Sequence, residues 1–352
     1  MSTQGGRKPP QVPLSGLFGT SINTVPGVPP TPSTELVESI RRRGSWNERF
    51  RHWERPESTT ETKRIERARN MVQEALANNE WLNREGCRLA QQGSFTNRTN
   101  TRGESDIDLR VQHPSLVIRY GDGVNTDLAY NAMAYYDTGR PFQSILAEMR
   151  KHIVTDLVGS FGRAAVDDTG KRAIRVNGLE GSRAEVDVVP AFTLHFIRRG
   201  FSLMQPYITT EGVGLLNPPA DWTFNFPDLH IANGRSKRQR TGLQFKRVVR
   251  IIKRMQSDMM AYEATDKRVP SFLIECLVHS VEDGFFNVED DDRYGRVKRV
   301  LERIAYLING EAHTFRLLEI NDVKLLFGSH QGWRLQDAQE FVASALAHLG
   351  DA

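Results

Sequence analysis

Apolar residues recur at three- and four-residue spacing from Ile65 through Ala68 and Val72 to Leu76. That is the period of one helix face. Just ahead stands Ser58-Thr-Thr-Glu61, the form of a capping box, so the pattern predicts an amphipathic helix over 59–77. Ile145, Leu146, Met149, Ile153 and Leu157 predict a second over 142–158. Segments 106–111, 172–176 and 185–189 read instead as strands. The last third is mostly helical, with helices expected over 244–261, 269–281, 292–308 and 335–348. No internal repeat is visible. The first half is therefore mixed α/β and the second helical, which suits a small sheet backed by a helical lobe.

Residues 1–34 lack this periodicity. Pro9-Pro10, Pro26 and Pro29-Pro30-Thr31-Pro32 deny the backbone helix bonds, so the segment reads as an arm or a surface strap. A short helical pattern follows, with Ser33 as candidate cap ahead of Leu36 and Ile40. The chain has 352 residues, 39% hydrophobic and 26% charged. That length suggests two lobes or one large composite domain, and the composition argues against wholesale disorder. No run approaches the ~18 apolar residues of a membrane span, and the N-terminus has no apolar signal segment. Cys87 and Cys276 lie far apart and match no metal spacing, so inert core thiols in a reduced cytoplasmic setting are expected. Lys and Arg number 47 against 43 Asp and Glu, a net of +4. The distribution of that charge matters more than its total.

The acids concentrate on strand-like segments. Along Asp106-Ile-Asp-Leu-Arg-Val111, alternation places Asp106, Asp108 and Arg110 on one face and Ile107, Leu109 and Val111 on the core face. Two carboxylates so close repel unless a cation intervenes, and Mg²⁺ is commonly held by one or two carboxylates plus substrate phosphates. A solvated acidic face is the plainer alternative. Two features weigh against it. Gly93-Ser94 upstream allows a phosphate to approach the backbone and meet a hydroxyl. Glu185-Val-Asp187-Val-Val189 repeats the alternation, so Asp187 supplies a third carboxylate if the strands pair, with Glu185 as its competitor. Three carboxylates on adjoining strands suit two-metal phosphoryl transfer, Asp187 serving as general base or as metal ligand.

The bases concentrate between Arg235 and Arg254, where nine Lys or Arg occur with no acid. Residues 235–240 are expected as an exposed loop. Beyond them Phe245, Val248, Val249, Ile252, Met255 and Met259 form an apolar helical stripe. Lys246, Arg250 and Lys253 share another face, as a solvated stripe or as partners of a triphosphate or an RNA backbone. Scattered His152, His279 and His313 make no metal set, and Tyr135-Tyr136 and Trp222 read as core aromatics or base-stacking platforms. His230 and Asn233 either line a nucleotide pocket or close a loop.

Gly-Ser, a connector of about a dozen residues, Asp-x-Asp and a later strand acid resemble the signature of the DNA polymerase β-like nucleotidyltransferases. More narrowly, the chain is similar to the CD-NTases, bacterial relatives of cGAS and oligoadenylate synthase. Gln92-Gly-Ser-Phe-Thr-Asn-Arg-Thr, Val186-Asp-Val-Val-Pro-Ala-Phe192, Gly242-Leu-Gln-Phe-Lys-Arg and Pro270-Ser-Phe-Leu-Ile-Glu-Cys-Leu-Val278 carry this likeness, from about Ser58 to Leu349. The resemblance implies an α/β (α+β) fold: a polymerase β-like nucleotidyltransferase core with a mixed sheet, plus a C-terminal helical lobe. The expected divisions are an arm over 1–34, a catalytic core with its N-terminal helix over 35–205, and a helical lobe over 206–352. It implies two Mg²⁺ or Mn²⁺ ions on Asp106, Asp108 and Asp187. It also implies nucleotide contacts from Gly93, Ser94 and Lys253, with Lys246 and Ser271 as further candidates, although Ser271 reads equally as a plain helix cap. The implied substrates are ATP, GTP, UTP or CTP. The implied product is a cyclic di- or oligonucleotide that activates an effector in anti-phage (CBASS) defence, with defence-system proteins as possible regulators and no membrane partner. The rivals are a tRNA or protein nucleotidyltransferase, which shares the carboxylates, and a non-catalytic RNA-binding scaffold, which has no use for three unpaired acids.

Overall fold

The computed structural model describes residues 34–103, 106–132, 139–202, 204–217, 220–289, 291–310, 314 and 316–350. The expected Pro-rich arm, with Ser33, lies outside them except for Thr34, which opens helix α1 (Thr34–Trp53). Tyr135, Tyr136 and His313 also lie outside the described residues. Helix α2 (Thr59–Ala77) starts at the predicted capping box, where Ser58 and Glu61 exchange backbone and side-chain hydrogen bonds. It buries Ile65, Ala68, Val72 and Leu76. There follow α3 (Glu80–Arg84), β1 (Arg88–Gln92), α4 (Gly93–Asn97), β2 (Ile107–Tyr120), α5 (Thr126–Ala132) and α6 (Phe142–Phe161). The sheet is completed by β3 (Val166–Asp167), β4 (Ile174–Val176), β5 (Val186–Ser202), β6 (Gln205–Asn217) and β7 (Asp221–Asn225). Helices α7 (Pro227–Arg240), α8 (Gln244–Ala261), α9 (Ser271–Ser280), α10 (Arg293–Asn309) and α11 (Leu335–Leu349) finish the chain.

Among the described residues the seven strands form one mixed sheet in the order β1-β2-β5-β4-β3, with β6 on β5 and β7 on β6. The central pair β2–β5 is parallel and the remaining pairs antiparallel. Both central strands run far past their expected ends at 111 and 189. Their middles are buried on both faces, which erases the alternation that marks a strand in sequence. Pro114 sits in β2 where the register shifts between His113 and Leu116, a place that tolerates its missing N–H.

Two apolar cores form. One lies under the sheet and collects Ile65, Val72, Ile107, Leu109, Met149, Ile153, Val186 and Val188. The other fills the helical lobe with residues of α8 to α11. Trp46 and Phe50 of α1 join this second core, and the Trp46 indole donates to the Leu349 carbonyl. Helix α1 thus packs with the helical lobe rather than with the catalytic core expected over 35–205. The sheet also continues to Asn225, so the expected break at 205 falls inside it. Residues 235–240 are not an exposed loop but the last turns of α7. Lys237 is buried there, donating to the Val281 carbonyl and to Asp283. Cations also suit that end of a helix.

Candidate active site

The site starts from strand register. Asp108 of β2 stands level with Asp187 of β5, Gln92 of β1 is level with Asp108 on its other side, and Arg175 of β4 is level with Asp187. Register neighbours share a face, so the row Gln92–Asp108–Asp187–Arg175 points one way across the sheet, at strand spacings of about 4.8 Å. Ile107 and Leu109 point the other way and are about 1% exposed, as the alternation predicts. Asp106 is exposed just before the strand. Burial, and then the charges of Asp106 and Asp187, push the Asp108 carboxyl up to about 6. Its charge is thus partly desolvated and flanked by its own sign, a condition a cation would relieve.

Gly93 is dictated by this carboxylate. Its φ is +79°, and a Cβ there would lie 2.1 Å from Asp108 Oδ2. The next residue, Ser94, donates from its hydroxyl to the Asn100 side-chain oxygen. Gly93, Ser94, Asn97, Asp106 and Asp108 line one wall of a cleft of about 860 Å³. Lys253, Ser271 and Glu275 line the opposite wall, β7 and α7 supply Asn225 and His230, and residues 319–333 close the far end.

Of the residues singled out in the sequence, Gly93, Ser94, Asp106, Asp108, Lys253, Ser271 and His230 meet in this cleft. Asp187 does not line it. Arg175 Nε lies 2.9 Å from Asp187 Oδ1 and 3.3 Å from Glu185, engaging both acids that the alternation left in competition. Lys246 is also absent from the lining: it is buried and its ammonium donates to the Asn97 carbonyl at 2.5 Å. Asn233 is a loop anchor, donating to the Ile320 carbonyl and to Asp322. Trp222 belongs to an aromatic cluster, stacked on Phe224 and edge-on to Phe142 and Phe192. His152 stacks on Trp81, and His279 meets Phe245 edge-on. Burial pushes the Cys87 thiol up to about 12 and that of Cys276 well above its usual value, so neither is a reactive thiolate.

Sequence reasoning missed two parts of the cleft. Glu275 is buried, accepting from the Thr99 hydroxyl and paired with His230 Nε2 at 3.2 Å. Burial opposes its charge, but the His230 and Thr99 bonds and the nearby Lys253 hold its carboxyl below the usual carboxylate range. An acid in the otherwise apolar run Phe272-Leu-Ile-Glu-Cys-Leu-Val278 was the available signal. The far end is built by Glu319, which accepts from Asn321 and from Gln331 at 2.6 Å and lies 3.3 Å from Lys324. These residues sit in irregular chain, without periodicity to mark them.

The donor chemistry fits a divalent hard cation. Asp106 and Asp108 offer carboxylate oxygens at the cleft, and a Mg²⁺ ion commonly takes only one or two carboxylates and keeps water and phosphate as its other ligands. Among the described residues no three His, Cys, Asp or Glu side chains form a complete protein cage, in keeping with Asp187 being held by Arg175. Also among the described residues, no helix is long and apolar enough to cross a membrane.

Comparison with known proteins accords with this geometry. Residues 232–350 match the C-terminal helical domain of the cGAS/DncV-like nucleotidyltransferases. The chain is 32% identical over 311 residues to a cyclic dipyrimidine nucleotide synthase CdnE of Legionella pneumophila, covering 86% of this chain and 98% of the relative. It is 29% identical to a cyclic dipurine nucleotide synthase of Elizabethkingia meningoseptica, covering 85% and 96%. Among solved structures, the E. meningoseptica CdnE cyclic dinucleotide synthase with GTP and Apcpp superposes with a TM-score of 0.67 at 25% identity, covering 86% of this chain and 98% of the other. The CdnE c-UMP-AMP synthase of Rhodothermus marinus with Apcpp and Upnpp gives 0.68 at 23%, covering 85% and 94%. With its mixed sheet and helical lobe matched along almost the whole of these relatives, the chain belongs to the cGAS/DncV-like nucleotidyltransferases, the CD-NTases.

Proposed function

We propose that this chain joins nucleoside triphosphates into a cyclic di- or oligonucleotide that serves as a second messenger in anti-phage (CBASS) defence. In each step a ribose hydroxyl oxygen bonds to the α-phosphorus of a triphosphate. The bond from that phosphorus to the bridging oxygen breaks, and pyrophosphate leaves. A second such step closes a two-nucleotide ring.

The observation that carries this reading is Asp108, flanked by Asp106 and Asp187 and facing the cleft beside Gly93 and Ser94. Asp106, Asp108 and Asp187 would hold two Mg²⁺ or Mn²⁺ ions, Asp187 after release from Arg175. When bound, such ions supply positive charge for the triphosphate and acidify the attacking hydroxyl. The chain's own residues do the rest. Gly93 leaves room for a phosphate at the backbone, and the Ser94 and Ser271 hydroxyls and the Lys253 ammonium give it hydrogen-bond donors. Once released from Arg175, Asp187 would take the hydroxyl proton if it is not wholly engaged as a ligand. The sheet lobe, extended to Asn225, and the helical lobe, including α1, would be the two jaws of the catalytic unit. The reaction would take place in the cytoplasm, and the product would reach its effector by diffusion.

Relatives named for pyrimidine and for purine products lie at nearly equal identity, 32% and 29%. Overall likeness therefore does not set the base choice. The test is incubation with every pair of the four NTPs and Mg²⁺ or Mn²⁺, followed by product mass. A cyclic product lacking all terminal phosphates is expected in at least one pair. Label transferred only to added RNA or protein would instead identify a nucleotidyltransferase of the rival kind, and no transfer in any mixture would sink the enzymatic reading.

A further inference from the structure

The basic stripe of α8 has an occupant within the chain. Lys246, Arg250, Lys253 and Arg254 follow one another at helical spacing, and each donates to a backbone carbonyl of the segment that leads from Ser94 towards Asp106. Lys246 Nζ reaches the Asn97 oxygen at 2.5 Å, Arg250 Nη1 the Arg98 oxygen at 2.6 Å, and Lys253 Nζ the Thr99 oxygen at 3.0 Å. Arg254 Nη2 reaches the Arg102 oxygen. The three consecutive carbonyls of 97, 98 and 99 are thus taken by successive turns of the helix, and Arg254 adds that of 102. Arg250 also donates through Nε to the Glu54 carbonyl at 2.7 Å, adding the α1–α2 corner.

These contacts form in a dry place. Lys246, Arg250 and Lys253 are 4–7% exposed, and Asn97, Thr99, Asn100 and Thr101 are buried beneath them. Charge-assisted bonds are the stronger kind, and a buried cation deprived of its acceptor is costly. Burial pulls the Lys246 ammonium down to about 8 against the favourable charge of Glu275, so its carbonyl partner matters to it. The segment is shaped to receive the helix. Arg98 has φ +55°, a left-handed turn that ends α4, and the Thr99 hydroxyl pins the same stretch to Glu275 of α9.

We propose that this row of cations is a clasp by which the helical lobe sets the segment 97–102, and through it the placement of Gly93 and Ser94 against Asp106 and Asp108. Lys246, Arg250 and Arg254 are then positioning residues rather than phosphate ligands. Lys253 alone of the row also lines the cleft. The proposal rests on the reading of the cleft as catalytic, and its test is chosen to fail separately from that reading.

The test compares Lys246→Met, which keeps length and loses the donor, with Lys246→Arg, which keeps a donor. Hydrogen exchange of amides 95–103 is read alongside kcat, KM and the affinities for a non-hydrolysable triphosphate and the matching diphosphate. For Lys246→Met, exchange in that segment and kcat each change by roughly tenfold, faster and lower respectively, while KM moves less than about twofold. The triphosphate-to-diphosphate affinity ratio stays unchanged, and Lys246→Arg restores most of kcat. Unchanged exchange would overturn the clasp. So would a selective loss of triphosphate affinity, the mark of a phosphate ligand. Should Lys246→Met not fold, Arg254→Met at the more exposed end of the row carries the same readouts. A wild-type protein that makes no product, with faster segment exchange in the variant, would leave the clasp standing and remove the catalytic reading.

Discussion

The acid row on β2 and β5 and the basic row on α8 are alike in sequence: side chains of one sign at regular spacing. In the folded chain they part. Each cation of the α8 row has a carbonyl partner within the protein, whereas Asp108 is left half-desolvated between two further carboxylates. Reach and valence explain the difference. Lysine and arginine are long donors, and an irregular segment such as 97–102 presents many carbonyls. Aspartate is a short acceptor on a strand whose N–H groups are already bonded within the sheet. A same-sign row on a helix can be neutralised by backbone; on the central strands Asp187 finds Arg175 on the neighbouring strand, and Asp108 is left to wait for a cation from outside.

Removing the acids tests that contrast most severely. Asp106→Asn with Asp108→Asn should lower product formation by more than about 10³-fold, because the charge that would hold the metal is gone. The fold should persist and the melting temperature hold or rise, since like-charge repulsion is relieved; a collapse of the fold would mean the acids were already partnered. Gly93→Ala comes next. It forces a Cβ against Asp108 Oδ2 at a positive φ, so a stability loss of about 1–3 kcal/mol and a rate loss of about 10²-fold are expected, measured by denaturant unfolding and by turnover. Normal activity would show that Asp108 can move aside.

The smallest effect concerns a buried base without such a carbonyl row. Burial first, and then Lys237, hold the His279 imidazole down at about 3 in the folded protein. Below the ordinary histidine value the unfolded chain binds a proton that the folded chain refuses. Its contribution therefore lowers stability as pH falls, by about 1 kcal/mol between pH 7.5 and 5.5. Urea unfolding of His279→Gln at the two pH values should show a drop smaller by that amount. An equal drop would mean His279 already carries its proton when folded.

Much was legible before folding. The capping box at Ser58, the apolar faces of α2, α6 and α8, and the alternation about Asp106, Asp108 and Asp187 are local regularities, and they fall at those places. Strand ends past 111 and 189 were hidden because both faces of the central strands are buried. The tail of α7 looked like a loop because Lys237 finds its partners at 281 and 283, far along the chain. Arg175 beside Asp187 and Glu275 between Thr99 and His230 carried no periodic signal, since strand pairing and lobe packing bring them together.

Local periodicity and charge spacing in the chain are enough to specify the long amphipathic helices, the core strand faces and the Asp106, Asp108 and Asp187 row, because these depend on neighbours a few positions apart. Which charges remain available is decided only when distant segments meet. A cation on α8 is settled by a carbonyl about 150 positions away in sequence, and an aspartate on β2 stays unsettled because its nearest partners in space bear its own sign.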